Sequence, residues 1–191
     1  MYTLIDGSPK KQQSNSKYFL EYISKHLDEY HIYNINNNYK LILDNIKQSD
    51  TIVLAHPLYV DSPNYSTLSL LEYLYNNKDR VANKNFYVII NCGFREGEHN
   101  LTALSIIKNW CTKSNVNYMG SLLIGAGEIV GKPKYKLICK KALNNLKLFS
   151  NCIKNKELSK DIITTMDLLN NKIYCKLANK SWNKKIKRNK K

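Results

Sequence analysis

The sequence predicts an α/β protein built on an open parallel sheet of five strands, with helices on both faces. Three observations carry this. Strand-like and helix-like stretches alternate five times along the chain, the pattern of parallel strands joined by crossover helices. Several strand-like stretches are apolar throughout, as expected of strands covered on both faces. The unusual loops, rich in Gly, Pro and Ser, each follow a strand, so the topology gathers them at one edge of the sheet.

The elements follow in order. Residues 2–5 form a first strand, which stops at Asp6-Gly7-Ser8-Pro9. A polar loop ends in Ser14-Asn15-Ser16, and a helical pattern follows with Tyr18, Phe19, Tyr22, Ile23 and Leu27 on one face. Residues 30–35 read as a second strand, and 39–48 as a short helix carrying Leu41, Ile42 and Ile46. The third strand, 51–55, runs into a loop over 56–63 bracketed by Pro57 and Pro63. A helix over 65–74 follows, with Leu68, Leu71 and Leu74 on one face. The fourth strand, 86–90, ends in a second Gly-punctuated loop, 91–98. Residues 99–112 are a helix carrying Leu101, Leu104, Ile107, Trp110 and Cys111. The fifth strand, 118–124, ends in the Gly-rich stretch 125–131. Helices over 135–153 and 158–178 complete the pattern, and a basic run closes the chain.

The first loop carries the strongest chemical signal. Strand, small polar loop and helix start bring hydroxyls and free backbone N–H groups together where the helix dipole adds partial positive charge. A phosphate monoester suits that site. A serine that merely caps the helix explains one of these hydroxyls, not several. The loop contains neither G-x-x-x-x-G-K-[ST] nor G-x-G-x-x-G, so the triphosphate and dinucleotide fingerprints are absent from it.

Composition narrows the class. The 191 residues are 43% hydrophobic, enough for one domain with a sizeable core. The net charge of +15 raises the question of a polyanionic partner, but from Lys172 onward there is no acidic residue, and the final run reads as a solvated tail. A tail supplies charge without base readout, which argues against nucleic acid as the main partner. Five cysteines form no C-x-x-C and no cluster with histidine, which argues against structural zinc and an iron–sulfur cluster, so no metal is expected. The odd count and the lack of a signal peptide point to a reducing, cytoplasmic setting. No apolar run approaches the roughly 20 residues of a membrane span.

The other loops add candidates with different weights. Pro57, Leu58 and Tyr59 offer a stiffened, partly aromatic wall for a flat ring system. Asn91, Cys92, Gly93 and Phe94 offer a second wall, and Gly93 permits close approach of backbone to a ligand. Cys92 has no base beside it in sequence and reads as packing rather than as a nucleophile. His56, before Pro57 at a strand end, reads as structural. Glu96 and Glu98 lie at a helix start, where the dipole favours solvated carboxylates.

Together these stretches resemble the flavodoxin-like superfamily, and within it the NAD(P)H-dependent FMN reductase and flavoprotein oxidoreductase branch. The resemblance rests on Leu4-Ile5-Asp6-Gly7-Ser8-Pro9-Lys10 with Ser14-Asn15-Ser16, on Ala55-His56-Pro57-Leu58-Tyr59-Val60-Asp61, on Asn91-Cys92-Gly93-Phe94, and on Gly125-Ala126-Gly127-Glu128. It implies a three-layer sheet of order 2-1-3-4-5 and an FMN-binding domain over residues 1–155. A helical extension over 156–182 and a basic tail over 183–191 would follow it. By the resemblance, Ser8, Ser14, Asn15 and Ser16 hold the FMN phosphate. Pro57, Leu58, Tyr59 and Val60 line the ring, and Asn91, Cys92, Gly93 and Phe94 close its other side. It further implies a homodimer, NAD(P)H as co-substrate and a small-molecule electron acceptor, with no catalytic side chain assigned. The basic balance departs from acidic flavodoxins, and the segment after residue 155 matches no part of the pattern. Two other readings stay open at this point: an FMN electron carrier without nicotinamide turnover, and a flavin-free module that binds an acidic partner through its tail.

Overall fold

The computed structural model describes residues 1–10, 13–166 and 170–189. The strands are β1 (Tyr2–Asp6), β2 (Tyr30–Asn34), β3 (Thr51–Tyr59), β4 (Ser62–Pro63), β5 (Asn85–Asn91), β6 (Asn117–Ile124) and β7 (Ile162–Thr164). The helices are α1 (Asn15–Ser24), α2 (Tyr39–Gln48), α3 (Tyr65–Tyr75), α4 (Leu101–Lys113), α5 (Lys140–Asn155) and α6 (Asn171–Asn189). The sheet runs β2-β1-β3-β5-β6-β7, with β4 paired to β3 alone. All pairings are parallel except that of β3 with β4.

Alternation along the central strands builds two cores. Leu4, Val53, Ala55, Tyr87, Ile89, Leu122 and Ile124 pack on one face with Phe19, Leu20 and Ile23 of α1 and Leu146, Phe149 and Ile153 of α5. Ile5, Ile52, Leu54, Phe86, Val88, Ile90 and Leu123 pack on the other with α2, α3 and α4. Each fully buried side chain of this size contributes about 1.5–3 kcal/mol, so α5 is held by Leu146, Phe149 and Ile153 rather than by helix propensity. Tyr87 reaches across from β5 and donates its hydroxyl to the carbonyls of Cys152 and Glu157, fixing the end of α5. There Lys156 adopts the left-handed conformation that stops the helix.

The sheet differs from the expected five strands at two places. The first five long strands follow the order 2-1-3-4-5, but β7 adds a sixth, parallel to β6. It lies inside the stretch read as a helix over 158–178. Ile162-Ile163-Thr164 are all β-branched, and tertiary contacts select the extended form. Asp161, just before β7, accepts from Ser121 Oγ at 2.9 Å and pairs with Lys108 Nζ at 2.5 Å, and Tyr118 also donates to it. Gly125 N–H donates to Thr164 O at 2.9 Å, so the open edge of β6 is covered. The final helix starts only at Asn171 and runs through Asn189, so most of the run read as a tail is helical.

The second difference is at β3, which continues four residues past Ala55 and turns back on β4. The turn is Val60-Asp61, with φ of 49° and 57°. Positive φ is strained for a β-branched residue, and a turn lacking Gly or Asn is hard to recognise from sequence. Among the described residues, no helix is long and apolar enough to cross a membrane.

Candidate functional site

β1, β3 and β5 end side by side, and the loops beyond them meet α1 at its N-terminus. They enclose a cavity of about 340 Å³, within the range of small-ligand sites. Asp6, at the end of β1, does not line the cavity but organises the loop that does. That side chain is 1% exposed, and its carboxylate accepts from the Ser8 N–H at 3.0 Å, from Ser14 Oγ at 3.1 Å and from Asn34 Nδ2 at 3.1 Å. Burial outweighs these hydrogen bonds and holds the Asp6 pKa above the usual carboxylate value.

The serines of the first loop are not equivalent. Ser14 is the N-cap of α1: its Oγ accepts from the Lys17 N–H at 2.9 Å while its single hydrogen goes to Asp6. It therefore organises the loop and has no proton to offer a ligand. Ser16 is 1% exposed, and its Oγ accepts from Asn91 Nδ2 at 3.2 Å. Among the described residues no acceptor takes its hydrogen. Ser8 Oγ accepts from the Lys10 N–H and likewise keeps its hydrogen available. The N–H groups of Asn15 and Ser16, in the first turn of α1, have no intrahelical acceptor. An anion placed here meets several donors and the positive end of the helix dipole.

Asn91 ties the site together from the end of β5. Its Nδ2 donates to Ser16 Oγ and, at 3.1 Å, to the His56 carbonyl of β3. Behind it lies Gly127, where an added Cβ would sit 2.9 Å from both Cβ and Oδ1 of Asn91. Gly127→Ala must push Asn91 off these partners. We expect it to lower the unfolding free energy by about 1–3 kcal/mol, the usual range for overpacking, as read from urea denaturation. An unchanged midpoint would show that Asn91 is not held in place by Gly127.

Cys92 is 4% exposed, and its thiol points to the carbonyls of Phe94 and Glu96 at 3.7 and 3.5 Å. Burial pushes its pKa up, so it stays a protonated packing thiol and not a nucleophile. Next to it, a Cβ on Gly93 would meet nothing within 4 Å, so the loop leaves open space there.

Ten of the twelve expected residues line this cavity: Ser8, Ser14, Asn15 and Ser16; Pro57, Leu58 and Tyr59; Asn91, Cys92 and Gly93. Val60 and Phe94 are not brought to it. Val60 is 98% exposed at the strained hairpin turn. Phe94 turns outward and stacks on His99 with ring centroids 4.2 Å apart. Lys10, Glu128 and Trp182 also line the cavity and were not among the expected residues. Glu128 lies within the Gly-rich stretch 125–131 and could have been named. Trp182 had no local signal, because α6 reaches the site only through the tertiary fold. Tyr174 of α6 anchors that approach by donating its hydroxyl to Gly93 O at 2.5 Å. Burial pushes the Tyr174 pKa up to about 12, so it remains a donor at any ordinary pH.

No protein-family model and no curated protein matches the chain. Solved structures do. The Trp repressor binding protein from Bacillus subtilis aligns with a TM-score of 0.65 at 16% identity, over 76% of this chain and 95% of its own. An NADPH-quinone reductase from P. pentosaceus aligns with a TM-score of 0.59 at 13% identity, over 80% and 96%. General stress protein 14 from Treponema denticola, in complex with FMN, aligns with a TM-score of 0.60 at 9% identity, over 80% and 98%. These likenesses show a shared fold, the flavodoxin-like α/β fold. The neighbours are covered almost whole, whereas about a fifth of this chain lies outside each of these last two matches.

Proposed function

We propose that this chain, which has the flavodoxin-like fold, is an FMN-dependent oxidoreductase that passes electrons from NAD(P)H to a small-molecule acceptor. The observation that carries the reading is the convergence in one cavity of an anion-binding helix start, a Pro57-Leu58-Tyr59 wall and open space at Gly93. The residues fit the group. The N–H groups of Asn15 and Ser16 and the hydroxyls of Ser8 and Ser16 would hold the phosphate. Pro57, Leu58 and Tyr59 would lie along the ring, with the backbone of Asn91, Cys92 and Gly93 opposite. The flavin complex and the reductase among the structural neighbours support the same reading.

Bound FMN supplies a ring that accepts a hydride from a nicotinamide and returns the electrons to an acceptor, so the protein need supply only binding, orientation and electrostatics. In this chain Asn91 orients Ser16, Asp6 orients Ser14, and Cys92 stays protonated and inert. A cytoplasmic homodimer completes the proposal. Tyr59, Val60, Tyr65, Phe94 and Leu101 all expose apolar surface on or beyond these loops, where a second subunit could cover it.

The test is the visible spectrum after FMN addition and desalting, followed by NADPH or NADH without oxygen. A retained band that bleaches is expected. A retained band that neither nicotinamide bleaches would overturn the donor assignment, and no retained band would overturn the cofactor. Ser16→Ala removes a buried donor to the phosphate, and FMN should then bind about tenfold to a hundredfold more weakly, as for one charge-assisted hydrogen bond. Unchanged affinity in a fluorescence titration would place the phosphate elsewhere.

A further inference from the structure

α6 meets the rest of the protein along one stripe. Among its described side chains, Tyr174 and Ala178 are half-buried and the others are exposed. These two are four residues apart and so share a face, and Trp182, four further on, continues the same stripe. Tyr174 packs against the core on the α1 and α5 side of the sheet and donates its hydroxyl to Gly93 O. Burial, and after it the nearby Glu128 carboxylate, raise the pKa of that hydroxyl. The stripe is therefore anchored where the loops after β5 and β6 meet. Lys172, Lys176 and Lys180 stand on the remaining faces, in solvent.

Trp182 is the exception on this stripe. It lines the cavity together with Pro57, Leu58 and Tyr59, eight residues or about 12 Å along the helix from Tyr174. Yet it is 55% exposed. A large aromatic side chain on the inward stripe of a helix is normally covered by protein. Here the cavity lies where covering protein would be, and much of the indole surface stays bare. Trp110 shows the contrast: it is 8% exposed, packs on Phe86, and donates its ring N–H to Leu71 O at 2.7 Å. A single exposed apolar side chain means nothing by itself. What singles out Trp182 is its place on the cavity, in line with the Tyr174 anchor.

We propose that Trp182 is a ligand-binding residue of this cavity. Its indole stacks on the planar ring system of the molecule bound there, and α6 is thereby a wall of the site and not an appended tail. The assignment rests on the oxidoreductase reading for the identity of that ring as a flavin, and on the placement of Trp182 for the stacking. Stacking covers an indole face that the protein leaves bare, and adds a contact made to the ring and not to the phosphate.

The test titrates the full chain, freed of flavin, with lumiflavin and with FMN, both by calorimetry. Lumiflavin has the ring system and no phosphate. Trp182→Leu keeps apolar bulk and removes the flat aromatic face. It should bind both flavins about tenfold more weakly, by the same factor for each. Trp182→Phe restores a flat face and should stay within about threefold of wild type. Ser16→Ala should give the opposite pattern, weakening FMN and leaving lumiflavin unchanged. Trp182 is largely exposed, so its substitution removes no core packing. Equal lumiflavin affinity in Trp182→Leu and wild type would overturn the proposal. So would a loss confined to FMN, which would put Trp182 at the phosphate, or equal losses in the Leu and Phe variants, which would make it a packing residue. If wild type binds neither flavin, the oxidoreductase reading and this proposal fall together. If wild type and Trp182→Leu bind FMN and lumiflavin equally, that reading stands and this proposal alone falls.

Discussion

Asp6→Ala is expected to lower the unfolding free energy by about 3 kcal/mol and to abolish retention of FMN on desalting. The carboxylate is buried and gathers three donors from separate parts of the chain: the Ser8 N–H, the Ser14 hydroxyl and the Asn34 amide. Asn34 keeps the Ser8 and Lys10 carbonyls as partners when Asp6 is truncated. The Ser8 N–H and the Ser14 hydroxyl hydrogen do not, and an orphan donor costs about 1–3 kcal/mol, more for the buried Ser8 N–H than for the part-buried Ser14 hydroxyl. The binding loss follows from the same geometry. Ser14 caps α1 in the orientation set by Asp6, and the cap positions the first N–H groups of that helix. Equilibrium urea unfolding and a fluorescence titration with FMN separate the two effects. A variant as stable as wild type would show that the loop holds its shape without the carboxylate. A destabilised variant that still retains FMN would show that the phosphate is held outside this loop.

Residues that bind through local backbone geometry were legible in the sequence, and those that arrive from distant segments were not. Apolar runs such as Ile52-Val53-Leu54 and Val88-Ile89-Ile90 identify buried strands whatever surrounds them. Ser14-Asn15-Ser16 between a strand and an amphipathic helix marks an N-terminus. That Ser14 spends its proton on Asp6 was not legible, because eight residues (7–14) separate Asp6 from the start of α1 and only the folded loop brings the two side chains together. β7 was misread because Leu158, Ile162 and Ile163 fit a helical spacing as well as a strand. Its pairing with β6 is decided by contacts of Asp161 with residues 40 and more positions earlier. Val60 was placed against the ring as part of a loop, whereas β3 runs straight past the cavity and turns at Val60 in a conformation that a β-branched residue rarely adopts. Trp182 follows the same rule: nothing around it in sequence signals a site.

The protein should lose about 2–3 kcal/mol of stability between pH 7 and pH 4.5 through one side chain, His56. It is fully buried, and its Nδ1–H donates to the Pro57 carbonyl at 3.1 Å. Nε2 has no hydrogen-bond partner among the described residues, so a second proton there would sit unpaired in an apolar wall. Burial pushes the His56 pKa down from 6.5 to about 4. The sign follows directly. Below pH 6.5 the unfolded chain takes up a proton at this residue while the folded chain does not, so acid favours unfolding until the folded form also protonates near pH 4. Asp6 works in the opposite direction. Its folded pKa is raised, so over a window above pH 3.8 the folded state holds a proton that the unfolded chain has lost, and acidification there returns some stability. His56→Leu removes this contribution and leaves the carboxyls: Asp6, and the opposing Asp50, Glu96 and Asp161, whose lowered pKa values cost stability as the pH falls through the carboxylate range. Its stability should therefore fall much less than that of wild type from pH 7 to 4.5, even if the lost Pro57 contact lowers it by about 1 kcal/mol throughout. Urea unfolding of both proteins at the two pH values measures the difference. The remaining histidines, His26, His31 and His99, are exposed, which isolates His56 as the buried imidazole. Equal acid sensitivity in wild type and His56→Leu would assign the loss to groups other than this one.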